Sequence, residues 1–478
     1  MTYRVERDSM GEVEVPETAL YGAQTRRAEL NFPVSGWRMP KAFLLALARI
    51  KRAAAVVNRD LGLLDPAVAG WIVQAADEVL ASRHDGQFPL DVFQTGSATS
   101  TNMNMNEVLS NRAIQLAGGK IGSRDPVHPN DHVNLGQSSN DLTPTAAHIA
   151  ASLEVAGDLL PALEKLRLAL HQKSLATDNV VKIGRTHLQD AVPIRLGQAF
   201  RGYAGLVEEF IRQAEPARDR LLPLALGGTA AGTGLNAHPE FAGRVIDLVA
   251  RETGTPFRES GNHFAAQSAM VAFAALASAL KTGALGLVKI ANDVRFLASG
   301  PRAGLGEIVL PPLQPGSSIM PGKVNPVMCE TLMQASALAV AADAGVSFAA
   351  ATLSNFELAA AWPYAVWQTL DTVKTLAAAI RLFTERAVAG IEPDAGRCRE
   401  LSDASLSLAT GLAPRIGYDL AAAVAKRAAE TGGTVMEAAL ELSGLPAPEL
   451  EVLLDPAAMT GAATEGNRAA NIAEEFVP

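Results

Sequence analysis

Gly316-Ser317-Ser318-Ile319-Met320-Pro321-Gly322-Lys323-Val324-Asn325-Pro326 lies between two long segments rich in alanine and leucine. The run holds two glycines, two prolines, two serines, one lysine and one asparagine in eleven residues. A loop bounded by Gly and Pro between rigid helices can turn backbone amides toward an anion and hold one side chain for chemistry. Lys323 supplies positive charge there, and Asn325 an amide. Ser317 or Ser318 acts as a base only if its hydroxyl is strongly acidified, because a free serine is a poor base; stacked amides and a nearby lysine are the devices for that. Glu330 follows on the next helical turns, where it either orients an imidazole or is a solvated helix carboxylate.

On both sides of the loop the apolar pattern predicts long helices, over 142–177, 193–222, 265–299, 324–350 and 362–388. Pro193 and Pro326 fall where proline is tolerated, near a helix start. Helices of about 30 residues, at 1.5 Å per residue, need partners of equal length, so a multi-helix bundle completed by other subunits is the economical reading. Shorter helices are predicted over 41–61, 66–81, 106–117, 416–431, 434–443 and 447–454, and a hairpin near Arg4–Asp8 and Glu12–Val15. Residues 86–101 and 118–137 read as loops, and the tail from Pro456 onward as a frayed end.

The chain has 478 residues, 48% of them hydrophobic but only 5% aromatic, and a formal net charge of −9. A core of Ala, Leu and Val points to closely packed thin helices. The acidic balance and the lack of a basic block argue against nucleic-acid or anionic-membrane partners. Mean hydropathy is +0.14. Helices apolar on most faces are membrane spans or the interior of a bundle. Lys281, Lys289, Asp293 and Arg295 interrupt the first such run and Asp343 the second, which favours the bundle. Two cysteines, Cys329 and Cys398, exclude a disulfide framework and fit a reducing compartment. No secretory signal is visible, so a cytoplasmic location is expected.

Further polar clusters break the apolar periodicity. In Thr95-Gly96-Ser97-Ala98-Thr99-Ser100-Thr101-Asn102-Met103-Asn104-Met105-Asn106-Glu107, hydroxyls and amides crowd together, either as a turn that caps a helix or as hydrogen-bonding groups for a ligand. His128-Pro129-Asn130-Asp131 and Gln137-Ser138-Ser139-Asn140-Asp141 precede a helix. The second is a cap, and a helix N-terminus is also an anion site. In Lys182-Ile183-Gly184-Arg185-Thr186-His187-Leu188-Gln189-Asp190, the histidine sits between the β-like Val180-Val181 and a helix; it is either structural or placed for proton transfer. No Cys/His spacing typical of a metal site occurs. Many small donors with few imidazoles suit a small, multiply charged anion.

Taken together, these strings resemble the fumarase/aspartase superfamily. The Met-Pro-Gly-Lys form of the loop is similar to class II fumarases. The likeness also takes in Leu226-Gly227-Gly228-Thr229-Ala230, Gly232 to Asn236, Lys289-Ile290-Ala291-Asn292-Asp293 and Asn355-Phe356-Glu357-Leu358. It implies a mainly α, fumarase/aspartase-like fold: an N-terminal domain over 1–138, a central long-helix bundle over 139–393 and a small helical C-terminal domain over 394–478. It implies a homotetramer with each active site shared by three subunits, no metal and no cofactor. The implied reaction is hydration of fumarate to (S)-malate, a step of the tricarboxylic acid cycle. By the same resemblance Ser317 is the base at C3, His187 acts on the acid side, Glu330 orients His187, and Lys323 joins the catalytic set. Ser97, Ala98, Thr99, Ser138, Ser139, Asn140, Thr186, Ser318, Lys323, Val324 and Asn325 hold the carboxylates. His128, Pro129, Asn130 and Asp131 form an accessory anion site.

The chain departs from the family pattern at Ala98, where glycine is usual, and at Thr101, Asp125, His132, Gly136 and Ala359. These positions touch the accessory site and the surroundings of the substrate rather than the catalytic set. The alternatives are aspartate ammonia-lyase, against which Gly322 argues because aspartases carry alanine there, and a non-catalytic structural tetramer, which would not need Ser317, His187 and Lys323.

Overall fold

The computed structural model describes residues 2–461. An antiparallel hairpin of β1 (Tyr3–Asp8) and β2 (Gly11–Pro16) opens the chain. Helices α1 (Ala23–Asn31), α2 (Lys41–Asp60), α3 (Pro66–Leu80) and α4 (Thr99–Leu116) follow, then a π-helical turn over Pro129–Val133. Helix α5 (Ser139–Glu154) continues through a π-helical segment, Val155–Leu159, into α6 (Leu160–Ala176). A second hairpin, β3 (Val181–Thr186) and β4 (Gln189–Arg195), leads to α7 (Leu196–Asp219), α8 (Phe241–Thr253), α9 (His263–Ser268) and α10 (Val271–Leu297). After the Gly/Pro loop come α11 (Val327–Thr352), α12 (Trp362–Arg386) and α13 (Ala395–Asp403). The described part ends with α14 (Ala413–Ile416), α15 (Tyr418–Thr431), α16 (Val435–Leu442) and α17 (Ala447–Leu453). The chain is mainly helical, as its composition leads one to expect.

Local chemistry sets these elements. In α2, Phe43, Leu47, Ile50, Ala54 and Val57 recur at three- and four-residue spacing and are buried, the pattern of one helical face turned to a core. Helix α3 starts at Pro66, and the Asp65 carboxylate accepts the Ala67 and Val68 amides, so the free first-turn donors are satisfied. Helix α16 begins with a reciprocal capping box between Thr434 and Glu437.

The chain packs as two compact units. One comprises Met1–Leu163, Glu209–Gly286 and Gln334–Ala378; its core gathers α2, α3, α4, α5 and α8. The other comprises, among the described residues, Glu164–Glu208, Leu287–Met333 and 379–461. In it β3 lies against α13, and the C-terminal helices close around Leu408, Leu412, Val424, Val435 and Leu450.

Several boundaries differ from the sequence expectation. Helix α4 starts at Thr99 rather than at Asn106, so Thr99, Ser100 and Thr101 are helical and not loop, and Asn102 and Asn104 lie inside the same buried helix. Pro193 is in strand β4, and α7 begins only at Leu196. The helix expected over 265–299 is broken at Ala269 and Met270, with α9 before the break and α10 after it. Helices α1, α8 and α13 were not anticipated. The frayed tail expected from Pro456 lies, from position 462 on, outside the described residues.

Three helical stretches, Ser139–Ala176, Val271–Leu297 and Val327–Thr352, are long and apolar enough to cross a membrane by length and composition. Within the chain, 61% of the most apolar window of the first is buried, against 39% for each of the other two. Val271, Leu285, Val340 and Phe348 are left exposed.

Glu78 on α3 is the focus of a half-hidden ion cluster. Its carboxylate accepts two hydrogen bonds from the Arg112 guanidinium, at 2.6 and 2.9 Å, and pairs with His84 Nε2 at 2.7 Å. The Arg112 bonds, helped by His84, hold the Glu78 carboxyl at about 2. A depressed carboxyl stabilises the fold above its unfolded value and loses that contribution as pH falls through its folded one. Glu78→Gln is therefore expected to lower unfolding free energy at pH 7 by about 1–3 kcal/mol. In urea titrations the gap between variant and parent should close as pH drops from about 4.5 to about 2, the window set by that shift.

Candidate active site

In the first unit the candidate residues converge on two helix starts. The N-cap of α5 is Ser138, whose Oγ accepts the Asn140 amide, while Asp141 returns a bond from the Ser138 N–H at 3.0 Å. The run Gln137–Asp141 is thus a capping box. One hydroxyl chain joins it to α4: Ser97 Oγ lies 2.7 Å from Thr99 Oγ1, which lies 2.7 Å from Ser139 Oγ. Thr143 Oγ1 donates to the Ser97 carbonyl at 2.8 Å and fixes the approach of the two helices. Asn140 Nδ2 donates to the Ala230 carbonyl at 2.8 Å. Ser97, Thr99, Ser138, Ser139 and Asn140, named from the sequence, are therefore one connected group at the positive end of a helix, where free amides favour an anion.

Ala98, the N-cap of α4, has φ 55° and ψ 24° and makes no side-chain cap. A left-handed alanine costs about 1–2 kcal/mol relative to ordinary backbone. Glycine, the residue usual there in the family resembled, carries no such penalty. Among the other departures, His132 Nδ1 accepts the His128 amide at 2.9 Å, and Ala359 is buried in a short strand pair with Ser354.

The residues suggested as an accessory site form a self-contained turn. His128 Nδ1 accepts the amides of Asn130 and Asp131, at 3.2 and 3.1 Å, and so caps the π-helical turn that starts at Pro129. Burial pushes the His128 imidazole below its usual value; Asp131, 3.3 Å away, opposes the shift, while Arg124 and His132 add to it.

In the second unit the Gly/Pro loop is tied back on itself. The Gly316 amide donates to the Lys323 carbonyl at 2.6 Å, and Asn325 Nδ2 donates to the Gly316 carbonyl at 2.9 Å. A Cβ on Gly316 would lie 2.7 Å from that Lys323 oxygen, so only glycine closes the loop. Inside it, the Ile319 and Met320 amides both point at Ser317 Oγ, at 3.2 and 3.1 Å. Two N–H donors on one hydroxyl oxygen favour the alkoxide form. Ser318, Lys323 and Val324 are exposed on the same loop, and Glu330 lies half-buried in the first turn of α11.

Thr186 and His187 are exposed at the tip of the β3–β4 hairpin. Thr186 pairs with Gln189, leaving His187 and Leu188 as a two-residue turn with φ of 57° and 61°. Positive φ at both positions is the backbone of a type I′ turn, which favours Asn-Gly; a histidine and a leucine held there are strained. The hairpin is anchored by Glu307, fully buried, whose Oε2 lies 2.8 Å from Arg185 Nη1 and 3.3 Å from Lys182 Nζ. Burial pushes the Lys182 ammonium down, and Glu307 pulls it back. Among the described residues no hydrogen bond or ion pair joins His187 to Ser317 or Glu330.

Sequence reading passed over three structural supports. In the sequence Asp141 stands only as the end of a cap-like run. Glu307 carried no local signal, since its partners lie more than a hundred positions earlier. Lys51 was legible in principle, because it falls one helical turn after Leu47 and before Ala54 on the apolar face of α2.

A family model described as Lyase matches residues 11–341, and one described as Fumarase C C-terminus matches residues 408–461. The class II fumarate hydratase of Thermosynechococcus vestitus is 51% identical over 448 residues, 94% of this chain and 96% of that protein. The mitochondrial fumarate hydratase of Danio rerio is 49% identical over 461 residues, 96% of this chain and 90% of that one. Among solved structures, a recombinant class II fumarase from Schistosoma mansoni superposes with a TM-score of 0.93 at 39% identity, covering 96% of this chain and 99% of its own. A 3-carboxy-cis,cis-muconate lactonizing enzyme from Pseudomonas putida, 23% identical with a TM-score of 0.72, shares the fold; the match covers 91% of this chain and 94% of that one.

Removing the charge of Glu307 leaves the buried Lys182 and the partly buried Arg185 against a neutral amide. Glu307→Gln is expected to lower unfolding free energy by about 3–5 kcal/mol, the usual consequence of breaking a buried ion pair. Urea denaturation measures the loss, and amide hydrogen exchange should be faster across Val181–Arg195 than in the C-terminal helices. Unchanged exchange in the hairpin would show that Glu307 does not hold it.

Proposed function

This chain belongs to the class II fumarate hydratases within the lyase family, and from that premise we propose that it catalyses the reversible hydration of fumarate to (S)-malate. The observation that carries the chemistry is the Ser317 hydroxyl inside its loop, with the Ile319 and Met320 amides directed at Oγ. An oxygen so placed is stabilised as an alkoxide, which a free serine is not.

Read from malate toward fumarate, Ser317 Oγ removes the proton on C3. The electron pair spreads onto the adjacent carboxylate, which then carries two negative charges. Fixed donors lower that barrier because they need no reorganisation as charge develops; Lys323, Asn325 and the loop amides are the donors assigned here. The C2–O bond then breaks, and the hydroxyl leaves as water with a proton delivered through a water by His187. Glu330 is assigned to orient His187. Ser97, Thr99, Ser138, Ser139, Asn140, Thr186 and Ser318 are assigned to the two carboxylates, with the backbone of Ala98 and Val324 beside them.

The His187 hairpin, the Ser317 loop and the α5 start each present exposed or half-exposed polar groups. We assign their completion to further copies of the same chain, in a homotetramer whose active sites draw on three subunits. The exposed apolar residues of α10 and α11 are the surface such an assembly would bury. Self-association, rather than insertion into lipid, accounts for those helices in a chain of net charge −9.

The test is formation of fumarate from L-malate, followed by ultraviolet absorbance with a chelator present. Turnover is expected with the chelator, and Ser317→Ala should lower kcat by about a hundred- to ten-thousandfold while light scattering still reports four chains in detergent-free buffer. Ammonia release from L-aspartate outrunning malate turnover would overturn the assignment in favour of an aspartate ammonia-lyase. Full activity of Ser317→Ala would remove Ser317 from the mechanism.

A further inference from the structure

Lys51 is a fully buried cation. Among the described residues no carboxylate lies within ion-pair distance of its ammonium, which donates to two amide oxygens, Asn134 Oδ1 at 3.2 Å and Gln137 Oε1 at 3.1 Å. Asn134 is the centre of a small polar network. Its Oδ1 also accepts from Asn102 Nδ2 and Asn106 Nδ2, each at 3.2 Å, and its Nδ2 donates to the Gln137 carbonyl at 3.0 Å. Gln137 immediately precedes the cap Ser138, and its Nε2 donates to the Val133 and Leu135 carbonyls. The ammonium is therefore fixed beneath the segment that carries Ser138, Ser139 and Asn140.

A buried lysine usually marks a task, because desolvating a charge is costly unless it is paired. The charged groups on the elements packed against α2 are mostly engaged elsewhere. Asp77 on α3 and Glu252 on α8 pair with Arg52, and Glu78 pairs with Arg112. Glu107 on α4 accepts the Gly22, Gln24 and Thr25 amides, and His128 caps its own turn. His148 on α5 faces the Pro223 carbonyl. Among the described residues Asp141 on α5 is the one charged group that acts on Lys51 electrostatically, and its oxygens are taken by three backbone amides. Burial brings the Lys51 ammonium down to about 7, and Asp141 pulls it back up.

We propose that Lys51 is a positioning residue for substrate binding: from behind the start of α5 it supplies a positive field to the carboxylate held by Ser138, Ser139 and Asn140, without touching it. The inference rests on the dicarboxylate reading of that site. Charge and helix dipole point the same way there, and in a water-excluded network the field of a fixed cation is screened far less than that of a surface lysine. The polar network holds the ammonium without neutralising it, which a partner carboxylate would do.

Two full-length variants separate field from packing. Lys51→Met keeps the volume and removes the charge. Asn134→Asp keeps the three hydrogen bonds that Asn134 Oδ1 accepts, loses the one to the Gln137 carbonyl, and sets a carboxylate against the ammonium. In both, KM for fumarate and Ki for succinate, a non-reacting dicarboxylate, are expected to rise together by about tenfold or more, with the larger part of the loss in kcat/KM carried by KM. Thermal unfolding checks that each variant is folded; where Lys51→Met does not fold, Asn134→Asp decides. A folded variant with KM and Ki unchanged, or with kcat lost at constant Ki, overturns the proposal. Absence of malate and fumarate turnover by the unaltered protein would overturn the functional reading itself, a result distinct from active enzyme with unaffected variants.

Discussion

One buried carboxylate sets the geometry of the polar group in the first unit. Asp141 accepts the Ser138 amide with one oxygen and the Gly227 and Thr229 amides with the other. Burial raises its pKa and the amides oppose that shift, so the ion is tolerated because backbone donors surround it. The cap of α5 and the glycine turn after α7 are thus fixed to the same group. The glycine turn is locked from its far side by Gln267, whose Nε2 donates to the Thr229 carbonyl. A Cβ on Gly228 would fall 2.0 Å from Gln267 Oε1, so the close approach requires that glycine. From α5 the order passes outward through Ser139 and Thr99 to Ser97. A short, unpartnered hydroxyl rotates freely; a chain of three, pinned at a capped helix start, does not.

The second unit reaches rigidity by another route. Its reactive groups sit on exposed turns, where packing is poor, and backbone constraint takes over. The loop around Ser317 is closed by its own amides and by Asn325. The His187 turn is held in a conformation its residues disfavour, by strands on both sides and by Glu307 beneath. Strain of this kind persists only where the surroundings over-determine it. Ala98 is a parallel case at the start of α4, a left-handed alanine inside a buried helix junction. In each instance the local backbone preference yields to the position a neighbouring side chain must occupy.

The same yielding explains what was legible in the sequence. The long helices, both N-terminal strands and the Gly/Pro loop followed from periodicity and from Gly and Pro alone, because there local preference and tertiary structure agree. The start of α4 was hidden because Ser, Thr and Asn favour turns when exposed, whereas here burial against α3 and α5 keeps them helical. Pro193 resembled a helix start but fits β4, where it pairs with Ile183 beside a bulge, a place proline tolerates. The His187-Leu188 turn lacks the Asn-Gly signal that marks such hairpins. The hydroxyl and amide residues of the candidate site were readable as a set, and the resemblance assigned their roles. Of their supports, Lys51 could be read from the apolar face of α2 and Asp141 from the cap of α5, whereas the partners of Lys51 and Glu307, and the grip of Asp141 on the Gly227 and Thr229 amides, arise only on folding.

A chain of net charge −9 that receives a dicarboxylate must overcome its own average field. That average matters little near the site, since exposed charges farther off than about 8 Å are largely screened at physiological salt. What remains is local, and the local groups here differ in kind. Lys323 is exposed, so its attraction for an anion is weakened by hydration and salt unless the bound ligand excludes water. The α5 amides are fixed dipoles already directed outward. Lys51 is a buried cation, held by neutral amide acceptors and opposed by Asp141 alone among the described groups. A site built from the last two kinds holds its field at high ionic strength and needs no rearrangement when charge accumulates on the ligand. The exposed lysine then serves on the loop with Ser317, whose backbone its own amides and Asn325 hold.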